Sequence, residues 1–151
     1  ASGSKCGNGS NLSDNNTTTC DTYGRLYNWS TAMNNSASST ANPSGVQGVC
    51  PTGWHLPSRA ELAVLGNDAK LKATSFDNGT DDYGFSALPG GYGYSGGSFY
   101  GVGYDGNWWS ASEYESSSSR AYSRFMSYNG ADAGWGFGSK TDLFSVRCLQ
   151  D

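Results

Sequence analysis

Charge is scarce in this chain. Only 15% of its 151 residues are Asp, Glu, Lys or Arg, against roughly 25% in an average globular protein. Lys and Arg together number nine and the formal net charge is -4, so a partner that must be met by a field of cations, such as a nucleic acid, is excluded. No apolar run approaches the ~18 residues that a membrane-spanning helix needs. Histidine occurs once. No C-x-x-C pair, H-E-x-x-H or phosphate-binding loop is present, which removes the usual sequence signatures of zinc sites and nucleotide enzymes. No metal, no cofactor and no catalytic residue is expected.

What the chain has in excess is small and aromatic residues. Gly contributes 22 residues and Ser 24, beside ten Tyr, six Phe and five Trp. Disordered chains carry few aromatics, so this composition describes one folded, loop-rich domain of ordinary size.

The four cysteines are Cys6, Cys20, Cys50 and Cys148. An even number in a Ser/Asn/Gly-rich chain points to an oxidising compartment. Three connectivities are possible, and Cys6–Cys20 with Cys50–Cys148 is favoured. The first bridge would close a polar N-terminal loop, and the second would tie the middle of the chain to its last strand. No signal peptide is visible at Ala1–Cys6, so an exported chain of this kind is expected to be a mature form or a fragment.

Residues 1–22 read as an irregular arm or hairpin and residues 23–151 as the main domain. Tyr23–Asn34 has the periodicity of a helix, with Tyr23, Leu26, Tyr27, Ala32 and Met33 on one side. Residues 35–48 form a loop. Ser58-Arg59-Ala60-Glu61 fits a capping box and predicts a helix from Arg59 to about Gly66, burying Leu62 and Leu65. A brief helical turn is possible around Lys70–Thr74. Beyond Tyr83 the pattern becomes short aromatic pieces separated by Gly. Phe85–Leu88, Asn107–Ser112, Ala121–Ser127 and Phe144–Leu149 read as strands, the last two as an antiparallel pair with Phe125 and Val146 on one face. The Ser116–Ser119 run is a connection. Helices first and short strands after argue for an α+β fold.

Five phrases then stand out: Tyr23–Trp29 (YGRLYNW), Gly48–Ser58 (GVCPTGWHLPS), Gly84–Gly91 (GFSALPGG), Trp109–Glu113 (WSASE) and Phe144–Cys148 (FSVRC). In this order the chain resembles the Fibrobacter succinogenes major paralogous domain, from about Tyr23 to Asp151. The resemblance implies a C-type-lectin-like fold related to the formylglycine-generating enzymes: two helices with small antiparallel sheets and long loops. It also implies an extracellular or cell-surface address. Residues 90–142 are further similar to the variable region of proteins that retroelements diversify in gut Bacteroidetes, which use this fold to display changeable side chains, some at pilus tips.

Thirteen of the twenty-one aromatic residues lie between Gly90 and Phe137. Tyr separated by Gly and Ser is the chemistry of a paratope, with large amphipathic rings on an adaptable backbone. The expected ligand-binding residues are Tyr92, Tyr94, Phe99, Tyr100, Tyr104, Asp105, Trp108, Tyr114, Tyr122, Arg124, Tyr128, Asp132, Trp135 and Phe137. Trp109 and Phe125 are expected inside. His55, between Trp54 and Leu56, is expected to be packed and hydrogen-bonded. Asp77, Asp81 and Asp82 are expected to form a solvated turn, because their spacing does not match a calcium loop. Arg147 is expected to hold carbonyls or an ion pair.

The function that follows is a non-enzymatic, adhesin-like surface module that grips an extracellular protein or glycan, within a longer surface protein or pilus. Two alternatives make different demands. A passive structural module would bury the rings of residues 90–137. An enzyme of the formylglycine-generating type would keep Cys50 or Cys148 as a free thiol.

Overall fold

The computed structural model describes residues 3–6, 17–66, 69–130 and 133–151. Asp132, one of the expected ligand-binding residues, and most of the loop between Cys6 and Cys20 lie outside the described residues.

The N-terminal part is a ribbon and two short helices. Strand β1 (Ser4–Lys5) pairs antiparallel with β2 (Leu26–Tyr27), and helix α1 (Thr17–Tyr23) lies between them in sequence. The helix predicted over Tyr23–Asn34 is therefore corrected. Gly24 takes a positive φ of 79° and its N–H bonds the Cys20 carbonyl, the usual way a helix ends at glycine. Leu26 and Tyr27 then pair with other strands. A new helix, α2 (Trp29–Ala32), starts where the Asn28 side chain accepts the Thr31 N–H. Periodicity alone had merged two elements that a glycine and an Asn cap keep apart.

Strand β3 (Trp54–His55) leads into helix α3 (Arg59–Val64). The capping box is as predicted: Ser58 Oγ accepts the Glu61 N–H, and Glu61 Oε2 accepts the Ser58 N–H at 3.0 Å. The possible turn near Lys70 is a 3-10 helix over Ala69–Leu71.

The main sheet has five strands: β4 (Gly90–Gly93), β5 (Phe99–Val102), β6 (Asp105–Glu113), β7 (Arg120–Ser127) and β8 (Ala133–Ser139). Their order across the sheet is β5-β4-β6-β7-β8, with a single parallel contact, Gly91 beside Gly106, joining β4 to β6. Strand β9 (Leu149–Gln150) pairs with β3, not with β7. The expected pairing of Ala121–Ser127 with Phe144–Leu149 is thus corrected: β6 and β8 occupy both edges of β7. The segment 143–145 instead bridges Gly93, Tyr27 and Trp108, stitching the N-terminal ribbon to the sheet. Phe85–Leu88 is not a strand; only Ala87 makes a bridge, to Lys72.

Successive residues of a strand face opposite sides, and β6 buries both. Trp109 packs with Trp29, Met33, Leu56 and Phe144, whereas Trp108 packs with Leu62, Leu71, Phe76, Phe85 and Met126. These are two cores separated by one sheet. The Gly138 backbone makes the first core possible, because a Cβ there would stand 2.7 Å from Phe144 ring atoms. Cys6–Cys20 and Cys50–Cys148 are both bonded, as favoured. Among the described residues no helix is long and apolar enough to cross a membrane.

Candidate functional site

The register of β6, β7 and β8 decides where the expected binding residues go. Trp108, Arg124 and Trp135 are cross-strand neighbours, and so are Tyr122 and Phe137. Paired residues share a face, and this is the face that α3 and the Leu71–Ala87 region cover. Trp108 is therefore 5% exposed, Tyr122 7% and Arg124 1%. Phe99 is buried against Leu26 and Leu143. These four were expected at a binding surface and lie inside. Sequence alternation says that neighbours part company, but not which side will be covered. Phe125 errs the other way. It was expected inside and is exposed, because its neighbours across the sheet are Asn107 and Gly134, which offer no ring or aliphatic chain to cover it.

The remaining rings form three groups. In the first, Tyr92, Tyr94 and Tyr100 contact one another edge to face or tilted, with centroids 5.5–5.9 Å apart. Tyr92 is half-buried, while Tyr94 and Tyr100 stand outward. Tyr92 and Tyr94 border a groove of about 500 Å³ on the sheet, with Asp105, Asn107, Phe125, Arg120 and Asp142 among its other walls. Burial, with Tyr94, Asp105 and Tyr100 as neighbours, pushes the Tyr92 hydroxyl above its ordinary pKa. Asp142 is also raised by burial, although the Ser139 N–H and Arg120 oppose this. Asp105 accepts the Ser127 hydroxyl at 2.7 Å. Asn107, Arg120 and Asp142 escaped the sequence reading, because they come from separate strand and loop positions with no shared spacing.

In the second group, Tyr104 and Tyr128 meet edge to face at 5.2 Å in neighbouring turns. The third group gathers Tyr114, Tyr122, Trp135 and Phe137. Tyr114 stacks on Phe137 at 4.4 Å, and the Arg59 guanidinium lies 4.0 Å over the Tyr122 ring. Trp135, half-buried, sits 4.7 Å from the Arg124 guanidinium. Glu115 accepts the Tyr122 hydroxyl, which lowers the pKa of Glu115. Tyr122 and Trp135 line a second hollow of about 540 Å³ with Arg59 and Glu115. Arg59 and Glu115 were not anticipated, since one comes from α3 and the other from a turn.

Two other expectations are met. Arg147 Nη2 bonds the Gly84 carbonyl at 3.3 Å. Asp81 holds the Ser86 N–H and hydroxyl within its turn at 2.7 and 2.6 Å, and these bonds lower its pKa.

The five phrases noted in the sequence sit in the frame. Trp29, Leu56, Ser58, Trp109, Ala111 and Phe144 are buried, and Cys50 and Cys148 form the long bridge. The family model described as the Fibrobacter succinogenes major domain matches residues 5–150. The chain belongs to this family. The family match thus extends beyond Tyr23, where the resemblance was first visible, to include α1 and Lys5 of β1. No curated protein and no solved structure matches the chain.

His55, in the second of the family phrases, is packed as expected. Its Nε2 is 2.7 Å from Glu61 Oε1, and its Nδ1 is 2.7 Å from Asp151 Oδ1. Burial works against the charged imidazole, but the two carboxylates outweigh it and raise the pKa above 6.5. The folded protein therefore binds a proton more tightly than the unfolded chain does. The stability this contributes is complete below about pH 6.5 and is lost as pH rises through the folded pKa. Urea unfolding of the wild type should show this contribution falling as pH rises above about 6.5. His55→Gln should be less stable near pH 6, with the gap narrowing upward. A gap that widens with pH would contradict this account of the pair of carboxylates.

Proposed function

We propose that this chain is a non-enzymatic, extracellular binding module with a C-type-lectin-like fold. It would be adhesin-like and would contact a protein or glycan through aromatic side chains, as part of a larger surface protein or pilus. The observation that carries the reading is the outward setting of Tyr94, Tyr100, Tyr104, Tyr128 and Phe137, each more than 40% exposed. Large exposed rings clustered on one segment mark interaction surfaces. Of these, Tyr94 and Phe137 line a groove that also offers Asp105, Asn107, Arg120 and Asp142, so an apolar ring and a directed polar group are available to the same ligand.

The alternatives fit less well. A passive module would need these rings covered. The enzyme reading would need a thiol, and Cys50 is bonded to Cys148. Both disulfides suit an oxidising, extracellular setting. The diversified-adhesin version places variation at the display positions, with the family phrases as the fixed frame. Sequencing the locus in sister strains tests it: substitutions concentrated at Tyr94, Tyr100, Tyr104, Tyr128 and Phe137 support it, and a uniform spread defeats it.

The direct test is a binding screen of the labelled protein against a glycan array and against extracellular proteins. For whatever partner emerges, Tyr94→Ala with Tyr100→Ala should weaken binding about 100-fold, since two exposed ring anchors are worth on the order of 1–2 kcal/mol each. The same change should leave the thermal midpoint within a few degrees, as surface substitutions cost little. Unchanged affinity would show that the tyrosine groove is not the contact surface.

A further inference from the structure

The β3–β9 ribbon carries a further hollow, remote in sequence from the tyrosine-rich stretch. Trp54 pairs with Gln150 and His55 with Leu149. Paired residues stand side by side, so the Trp54 indole and the Gln150 amide adjoin. Trp54 is 39% exposed. The Asp151 N–H bonds the Gly53 carbonyl at 3.0 Å and carries the ribbon one residue further. Facing the ribbon is the loop over residues 42–47. It is held in place because the Ser44 N–H donates to Glu61 Oε2 at 2.9 Å and the Ser44 hydroxyl to the Leu56 carbonyl at 2.6 Å. Between loop and ribbon lies a cavity of about 530 Å³, within the roughly 300–1,000 Å³ of small-molecule sites.

Its lining sets the class of ligand. The charged side chains are Glu61, Asp151 and His55, with no Lys or Arg. Glu61 is spent on His55, Ser44 and Ser58, and His55 is held at both ring nitrogens. What the cavity presents is therefore the amides of Asn42, Gln47 and Gln150, the Asp151 carboxylate and an indole. Gln47 Nε2 is steadied by the Cys50 carbonyl at 3.1 Å. An anion would meet the carboxylates of Glu61 and Asp151 with no Lys or Arg to offset them. A hydrocarbon would bury amides with no partner. Hydroxyls are both donors and acceptors and suit amides and a carboxylate together, while the C–H face of a pyranose ring suits the negative face of an indole. We infer that this cavity is a second binding site, separate from the tyrosine groove, that takes an uncharged saccharide.

The test is a titration of the isotopically labelled protein, followed by NMR, with cellohexaose, xylohexaose and chitohexaose, and with trigalacturonate as the anionic control. At least one neutral oligosaccharide should shift the Trp54 indole N–H and the side-chain amides of Gln47 and Gln150. Trp54→Ala should weaken that binding about 10-fold or more, as loss of a central aromatic anchor does. Gln150→Leu, which leaves the indole in place, should weaken it in the same direction. Tyr94→Ala with Tyr100→Ala should leave it unchanged, so the site stands or falls apart from the tyrosine surface. The inference is overturned if no neutral oligosaccharide shifts these signals, if the shifts fall only on the tyrosine groove, or if trigalacturonate moves Trp54 as strongly.

Discussion

Replacing Cys50 and Cys148 together by alanine is expected to remove about 4–5 kcal/mol of stability, the largest single loss open to this chain. The bridge spans 98 residues of sequence. On the chain-entropy view, a crosslink closing a loop near that length restricts the unfolded chain by about 4.7 kcal/mol, against about 3 kcal/mol for one near 15 residues. Cys6–Cys20 spans 14, so it is the internal comparison. The long bridge also has a position in the fold that the short one lacks. Cys50 is buried in the core that holds Trp29, Leu56 and Trp109, and Cys148 packs against that core immediately before β9. Without the bridge, the two-residue ribbon of β3 and β9 would have to hold its register alone. Domains of ordinary size keep only about 5–15 kcal/mol in total, so the double variant should sit close to unfolding at 37 °C. Urea unfolding of wild type, C50A/C148A and C6A/C20A measures this. A loss under about 1 kcal/mol from the long bridge, or a larger loss from the short one, would mean that unfolded-chain entropy is not what the bridge controls.

Trp109→Ala should cost about 3–5 kcal/mol, the range for emptying a buried aromatic position. The indole is fully buried, its ring centroid lies 4.2 Å from that of Phe144, and its N–H donates to the Tyr27 carbonyl at 2.7 Å. Removing it therefore opens a cavity and takes one of two hydrogen bonds from the Tyr27 carbonyl, which keeps the Phe144 N–H at 3.0 Å. Trp109→Phe separates the two effects. It keeps a ring against Phe144 and loses the hydrogen bond, for about 0.5–1.5 kcal/mol, since the Tyr27 carbonyl stays paired. Phe125→Ala, one strand away, is the contrast: exposed between Asn107 and Gly134, it should change stability by no more than about 1 kcal/mol. Equal losses at positions 109 and 125 would show that the face carrying Phe125 is covered in solution.

The contrast between these two residues shows how far the residues themselves could be read. Trp109 and Phe125 look alike in sequence, each an aromatic in a short strand with polar neighbours. Their fates part because the glycines of β8 line one side of the sheet while Phe144 reaches Trp109 from a distant segment. Trp108 and Arg124 were read as outward for the same reason that Phe125 was read as inward. Alternation assigns relative faces, and burial is assigned by what covers each stretch of a face: α3 and the Leu71–Ala87 region over Trp108, and Phe144 with Trp29, Met33 and Leu56 over Trp109 but not over Phe125. Groove residues such as Arg120 and Asp142 carry no local mark at all.

Chemistry confined to a few consecutive residues was decided locally. Ser58 and Glu61 satisfy each other's backbone donors three residues apart, so their capping box needed no tertiary partner. Composition settled the poverty of cations, and the ordered family phrases settled the kinship. The rest depends on contacts between residues far apart in the chain: the crossing of 143–145 between three strands, the division of one sheet into two cores, the joining of β3 to β9, and the choice of which tyrosines meet solvent. No local preference encodes these, because the free energy that selects them arises only when distant surfaces exclude water together.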